Sequence, residues 1–494
     1  MTAALERFAP ATREWFEATF RAPTPAQEGA WSSPHASHLG ADHVLVVAPT
    51  GSGKTLAAFL AAIDRLLHEP RADDAPQGTR VLYVSPLKAL AVDVERNLRS
   101  PLVGIIQTAA RRADAYHDVT VGVRSGDTSQ RDRRALVKHP PDILITTPES
   151  LFLMLTSAAR DTLRHVDTVI IDEVHAVAGT KRGSHLAVSL ERLDALLEAP
   201  ARRIGLSATV RPHEEIARFL GGTRPVRIVA PESASRLELS VVVPVDDLTQ
   251  LPAANPTTPG DEPEPDVKPR GSIWPHVEEA ILDQVLARAS TICFVNSRGV
   301  AERLTARLNE AYAARTTSAE PTPAIRSPAT RSPAQVMGGS SQTLGAQASG
   351  ATSELARAHH GSVSKDQRDL IEDDLKSGRL RCVVATSSLE LGIDMGAVDL
   401  VVQVSTPPSV ASGLQRVGRA GHHVGGLSTG VMFPTSRHDL LGSAVTAARM
   451  RDGLIERIDV PANPLDILAQ QTVAATALEA LSTALSTRSS ARWP

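Results

Sequence analysis

Short apolar runs punctuate the first half of the chain: Val44–Ala48, Val81–Ser85, Ile143–Thr147, Val169–Asp172 and Ile204–Ser207. Each has the length of a fully buried strand, and amphipathic stretches of helical spacing lie between them. Runs without polar alternation, separated by helices, predict a parallel sheet covered on both faces. A second block repeats the pattern with Thr291–Val295, Cys382–Thr386, Leu400–Val404 and Gly430–Phe433. The two blocks are separated by a Pro-rich, acidic stretch, 246–272, which reads as a linker. The second block is interrupted by 313–353, a stretch of Ala, Ser, Thr, Pro and Gly with the composition of a disordered insertion. The expected division is residues 1–240, a linker at 241–272, residues 273–455 with the insertion, and a short helical stub within 456–494. Leu478, Leu481 and Leu485 mark that stub.

Composition narrows the field. With 494 residues, 42% hydrophobic and 22% charged, the chain has material for two to four domains with real cores. A net charge of −3 excludes a polycation, so any nucleic acid would be held by local patches and backbone donors. Aromatics at 3% argue against a base-stacking platform. Two cysteines, Cys293 and Cys382, build neither a disulfide framework nor a four-cysteine zinc site, and both fall in apolar strands as inert core residues. The N-terminus lacks an apolar signal core and no run reaches membrane-spanning length, so a cytoplasmic protein with no membrane partner is expected. The adjacent His359 and His360 have no ligand partner at metal spacing and carry no metal reading.

The chemistry begins at Ala48-Pro49-Thr50-Gly51-Ser52-Gly53-Lys54-Thr55, between an apolar run and a helical pattern. Glycines let successive backbone N–H groups curl toward phosphates, and the helix start adds partial positive charge. Thr50, Gly51, Ser52 and Gly53 would form the cradle. Lys54 would reach the β- and γ-phosphates, and the Thr55 hydroxyl would bind Mg²⁺. The run Val169–Ile171 ends in Asp172-Glu173. Asp172 would hold Mg²⁺ through water, and Glu173 would polarise the attacking water. Together these residues specify an NTPase. Gln27, with an amide that both donates and accepts, could read an adenine edge.

Beyond these two motifs the chain resembles the superfamily 2 helicases, and within them the large helicase-related protein (Lhr) family. The resemblance runs from about residue 20 to 471. It is carried by PTPAQ at 23–27, the phosphate loop, SPLKAL at 85–90, TTPES at 146–150, DEVH at 172–175, SAT at 207–209, ATSSLELGIDM at 385–395 and QRVGRAGH at 415–422.

The resemblance implies an α/β fold of two tandem RecA-like lobes with ATP between them, and it makes Gln27 a determinant of ATP preference. Gly392 and Asp394 would face the nucleotide from the second lobe, with Gln415, Arg416 and Arg419 as catalytic residues and Arg419 as the arginine finger. Ser85, Pro86, Lys88, Thr146, Thr147 and Pro148 would contact a phosphodiester backbone from the first lobe, and Ser297, Arg298, Thr386 and Ser387 from the second. The residues alone leave ordinary helix capping open for the Ser and Thr positions of the first lobe. Ser207 and Thr209 would couple the two sites.

The implied activity is ATP-driven 3′-to-5′ movement on single-stranded DNA, with unwinding of DNA or RNA–DNA duplexes and a role in DNA repair. The rivals are an RNA-remodelling DEAD-box-like ATPase and a nucleic-acid-binding fragment without motor activity. Because the match fades after Pro464–Gln471, where relatives continue into a winged helix, a truncated or frame-shifted product with weak unwinding is expected.

Overall fold

The apolar runs of the first half assemble into a seven-stranded parallel sheet: β1 (His43–Val47), β2 (Val81–Val84), β3 (Val121–Arg124), β4 (Ile143–Thr146), β5 (Thr168–Ile171), β6 (Arg202–Ser207) and β7 (Val226–Val229), in the order β3-β4-β2-β5-β6-β1-β7. The computed structural model describes residues 4–32, 43–49, 51–69, 78–232, 236–248, 251, 271–317, 354–390, 398–421 and 426–477. A second, six-stranded sheet holds β8 (Arg236–Val241), β9 (Thr291–Phe294), β10 (Ala356–His359), β11 (Cys382–Ala385), β12 (Leu400–Val404) and β13 (Leu427–Phe433). Its order is β10-β11-β9-β12-β13-β8, again all parallel.

Strand alternation divides each core in two. On β1, Val44 and Val46 face the helix Lys54–His68, joining Phe59, Ile63 and Leu66. Leu45 and Val47 face the opposite layer with Leu186, Leu190 and Leu193. Each such side chain, fully buried, stabilises the fold by about 1.5–3 kcal/mol. The helix Lys54–His68 is rich in Ala and Leu, good helix formers. It places Phe59, Ile63, Leu66 and Leu67 at spacings of four, seven and eight on one face, with Arg65 and His68 in its last turn. In the second sheet Ile292 and Phe294 face one core, while Cys293 and Val295 face the other. Cys293 and Cys382 are buried thiols whose Sγ atoms lie 3.6 Å apart, well beyond the roughly 2.05 Å of a disulfide.

Three boundaries differ from the sequence expectation. β8 starts at Arg236 and pairs with β13, so the second lobe begins before residue 240. The helix Arg298–Thr317 runs past residue 313, where Arg315 pairs with Asp283 and Glu279 of the helix Trp274–Leu286. The rest of the insertion, 318–353, and the leucines at 478, 481 and 485 lie outside the described residues.

The third difference concerns residues 456–477, which return to the first lobe. Ile458 and Val460 pack on its core. Ile458 N donates to Arg211 O at 2.8 Å, and Lys181 pairs with Asp466 at 2.7 Å. The helix Leu465–Thr476 lies along the helix Lys181–Leu196. There the buried Gln471 accepts from Arg192 at 2.9 Å and donates to His185 O and Ser189 Oγ.

Candidate functional site

The phosphate loop leaves β1 and enters the helix Lys54–His68. Gly51 and Gly53 both sit at φ +75°, in the left-handed region that favours glycine. A Cβ on Gly53 would also fall 2.5 Å from Gln27 Nε2. Lys54 is buried, and its ammonium donates to Ala48 O and Pro49 O, each at 2.6 Å. That leaves one donor for a phosphate. Burial pulls its pKa down, while Glu173 and Asp172 pull it up. Thr55 begins the helix beside these groups. Thr50 lies outside the described residues.

Gln27 works as a brace. Thr24 and Gln27 form a reciprocal capping box on the helix Pro25–Trp31. Thr24 Oγ1 donates to Ser52 O at 2.8 Å, and Gln27 Nε2 donates to Gly53 O at 3.3 Å. The amide borders the nucleotide cavity but already holds the loop. Only its remaining lone pair and N–H are left for the base reading expected from sequence.

The carboxylates leave β5 two strands away from β1, with β6 between. Asp172 is buried, and burial together with the neighbouring Glu173 pushes its pKa up to about 7. Two donors oppose that rise: Glu173 N at 2.9 Å from Oδ1, and the Tyr83 hydroxyl at Oδ2. Tyr83, on β2, was not among the sequence-predicted residues. It is fully buried and stacks on Phe59 of the phosphate-loop helix, with ring centroids 4.9 Å apart. A tyrosine inside an apolar strand needs a partner for its hydroxyl, and that was the available signal. Glu173 adopts φ +43°, a left-handed conformation costing roughly 1–2 kcal/mol for a residue with a Cβ. Among the described residues its buried Oε2 has no hydrogen-bond partner, and His175 Nδ1 lies 3.5 Å from it.

His175 joins the sites. Ala208 N donates to its Nδ1 at 3.2 Å, with Ser207 Oγ 3.3 Å away. With Nδ1 accepting, the neutral ring carries its proton on Nε2. Burial and Lys54 favour that neutral form, lowering the pKa to about 4. Gln415 of the second lobe reaches Nε2 with its amide, whose nitrogen lies 2.7 Å away; with Nε2 protonated, the pair bonds once the amide is turned over so that its oxygen accepts. Gln415 thus touches His175 in this structure, and Ser207 supports the same ring. Thr209 is exposed.

The arginines separate. Arg416 is 2% exposed and turned into its own lobe. Its Nε and Nη2 donate to Glu390 Oε2 at 3.2 and 3.1 Å, and its Nη1 donates to Gln403 Oε1 at 3.0 Å and Asn296 Oδ1 at 3.1 Å. The guanidinium also lies over Phe294. Arg416, expected to be catalytic, thus places four of its five N–H groups on lobe-two acceptors in this structure. Arg419, equally buried, donates to Glu390 O at 3.0 Å. It borders a cavity of about 470 Å³ shared with Lys54, Thr55, Asp172 and Glu173. Gly392 and Asp394 lie outside the described residues.

A second cavity of about 740 Å³ runs between the lobes. Lys88, Arg298, Thr386 and Ser387, four of the residues expected at nucleic acid, line it. Arg96, Lys365 and Arg368 line it too, and were not foreseen. Ser297 is exposed and caps the helix it precedes through Val300 N. The first-lobe Ser and Thr hydroxyls expected at a phosphodiester backbone form their hydrogen bonds within that lobe in this structure, and of the three only Thr147 caps a helix. Ser85 Oγ donates to Leu87 O, Thr146 Oγ1 donates to Arg124 O, and Thr147 caps the helix Pro148–Leu155 through Ser150 N. All three are buried, as are Pro86 and Pro148. Burial obliges such hydroxyls to find internal partners.

Two parallel-sheet lobes, with a phosphate loop and carboxylate pair on one and an arginine from the other at the same cavity, form the two-lobed architecture of a helicase core with a candidate nucleotide site between the lobes. A DEAD/DEAH box helicase family model matches residues 24–217, and a helicase conserved C-terminal domain model matches residues 342–423. The chain is 62% identical over 475 residues to the Lhr helicase/probable uracil glycosylase of Mycolicibacterium smegmatis. It is 55% identical over 483 residues to the Lhr helicase/uracil glycosylase of Escherichia coli. Each match covers 96% of this chain and 30% of the relative. The solved structure of Mycobacterium smegmatis helicase Lhr bound to ssDNA and AMP-PNP superposes with a TM-score of 0.82 at 58% identity, covering all of this chain and 56% of that one. The chain is similar over nearly its whole length to these Lhr helicases and spans about 30% of the length of the two curated relatives. Among the described residues no helix is long and apolar enough to cross a membrane.

Proposed function

We propose that this chain is an ATP-driven motor on single-stranded DNA, moving 3′ to 5′ and separating DNA or RNA–DNA duplexes in the service of DNA repair. The observation that carries the motor reading is the shared cavity, where Lys54, Thr55, Asp172 and Glu173 of one lobe meet Arg419 of the other. A nucleotide there touches both lobes, so binding favours closure and hydrolysis releases it. The adjoining groove, with Lys88 on one lobe and Arg298, Thr386 and Ser387 on the other, offers a backbone grip that each closure would displace. The Lhr relative solved with ssDNA and AMP-PNP supports the choice of ligands. Polarity, duplex preference and pathway rest on the family resemblance.

The site suits Mg²⁺: two buried carboxylates side by side hold Asp172 at about 7, a repulsion that a divalent cation relieves. Thr55 and, through water, Asp172 would hold the ion, which when bound screens phosphate charge. Lys54 neutralises the β- and γ-phosphates. Glu173, whose buried Oε2 has no hydrogen-bond partner among the described residues, accepts a proton from the attacking water. Arg419 stabilises charge developing on the γ-phosphoryl group.

The test is ATP turnover by the purified chain with and without single-stranded DNA, beside a strand-displacement assay. Glu173→Gln should abolish turnover and leave ATP binding intact. Full turnover in that variant would overturn the assignment of the base. Stimulation by RNA alone would replace DNA as the track.

A further inference from the structure

The turn after β11 touches both sites. Thr386 and Ser387 line the interlobe groove, and Ser387–Leu389 forms a single 3₁₀ turn leading directly into Glu390. That turn is fastened from below. His359, 1% exposed, meets Ser388 Oγ through Nδ1 at 2.8 Å and Glu372 through Nε2 at 3.1 Å, and Ser388 Oγ donates to His359 O at 3.0 Å. Glu390 then holds both arginines of the helix Val410–Val417 and the turn beyond it. Its carboxylate takes Nε and Nη2 of Arg416, and its carbonyl takes Nη2 of Arg419. Glu390 also borders the groove.

We infer that Glu390 is a positioning residue through which nucleic acid in the groove sets the arginine at the nucleotide cavity. The inference rests on the motor reading above. A phosphate taken by Thr386 or Ser387 pulls on a turn that His359 keeps from deforming internally. The displacement therefore reaches Glu390 as a unit. Carbonyl and carboxylate move together, so Arg419 is re-aimed while Arg416 keeps the helix in register with the turn. Arg416 can serve as that strut because its remaining donors are fixed by Gln403, on β12, and by Asn296. A carboxylate suits the position: it accepts two bonds from one guanidinium edge and balances a cation that is almost wholly buried.

The experiment uses the full chain and compares Glu390→Gln with wild type in three measurements: basal kcat, kcat at saturating single-stranded oligo-dT, and dissociation constants for oligo-dT and a fluorescent ATP analogue. Glu390→Gln keeps an acceptor for Arg416 and removes the charge. The expected result is a loss of at least tenfold in stimulated kcat, with both dissociation constants within threefold of wild type. Glu390→Asp, which keeps the charge but withdraws it by one methylene, should fold like wild type and lose at least threefold. A merely structural role would instead lower Tm or weaken both ligands and leave the stimulation ratio in place. Stimulated kcat within twofold of wild type in folded Glu390→Gln overturns the inference. If Glu390→Gln does not fold, undiminished stimulation in Glu390→Asp does so. Wild-type turnover indifferent to oligo-dT would overturn the motor reading itself, and the coupling with it.

Discussion

Asp172→Asn should stabilise the nucleotide-free chain at alkaline pH and do nothing for it in acid. The wild-type carboxyl is held at about 7 in the fold, against an ordinary value of 3.8. A group whose folded pKa is raised binds its proton more tightly in the folded state. Its contribution is therefore complete below about 3.8 and lost as pH climbs through 7. At 1.36 kcal/mol per pKa unit, holding the ionised group at pH 8 costs the fold roughly 4 kcal/mol. Burial is the larger cause of that cost and repulsion from Glu173 the smaller; the buried asparagine amide keeps part of the desolvation cost, so the replacement recovers about half, ~2 kcal/mol. The asparagine keeps an oxygen for Glu173 N, and its amide can donate to the Tyr83 hydroxyl, so little is lost in return. At 2–4 °C per kcal/mol for a lobe of this size, melting should rise by about 4–8 °C at pH 8. Differential scanning fluorimetry of both proteins at pH 8 and pH 5, without nucleotide or divalent cation, reads the difference. The gain should shrink to about a third at pH 5; a gain at pH 5 as large as that at pH 8, or a loss at pH 8, refutes the reasoning. Activity should be abolished at both, since stability and function conflict at this carboxylate.

Tyr83→Phe removes a buried donor to the same carboxylate, a bond of the class worth about 1.5–3 kcal/mol. The Mg²⁺ concentration giving half-maximal binding of a fluorescent ATP analogue should rise by about tenfold or more, because the carboxylate loses its orientation and binds protons more readily. Unchanged Mg²⁺ dependence would show that the hydroxyl serves packing alone. Arg298→Gln removes a groove cation whose contact in this structure is the neutral Ser362 hydroxyl. The slope of log K against log salt for single-stranded DNA should become shallower by about 0.7. An unaltered slope would remove Arg298 from the track.

The four strands absent from the sequence reading are the four sheet edges: β3 and β7 in the first sheet, β10 and β8 in the second. The nine interior strands bury both faces and announce themselves as unbroken apolar runs. Edge strands cover less, and β3 (VGVR), β7 (VRIV), β8 (RLELSV) and β10 (ARAH) carry an arginine each, which dissolves the run. The phosphate loop and the carboxylate pair were legible because glycine geometry and strand-end acids are local properties. Tyr83 and Gln403 were not read, although each is a polar residue inside a buried strand and so must have a partner. Which partner it is (Asp172 for one, Arg416 for the other) depends on packing across the sheet. For the same reason Arg416 and Arg419, three residues apart, ended with different employments.

Residues 456–477, which lead back from the second lobe to the first, change what kind of joint lies between them. The chain crosses the boundary once between β7 and β8 and again ahead of Ile458. Two solid bodies joined at a single point can tumble about it in any direction. Joined at two separated points, they keep one easy rotation, about the line through both. Ile458 and Val460 in the first lobe's core, with Lys181–Asp466 and Gln471 beyond them, make the second attachment firm. On the proposed motor reading, the nucleotide cavity would open as a door does on two hinges, each stroke along the groove repeating the same arc.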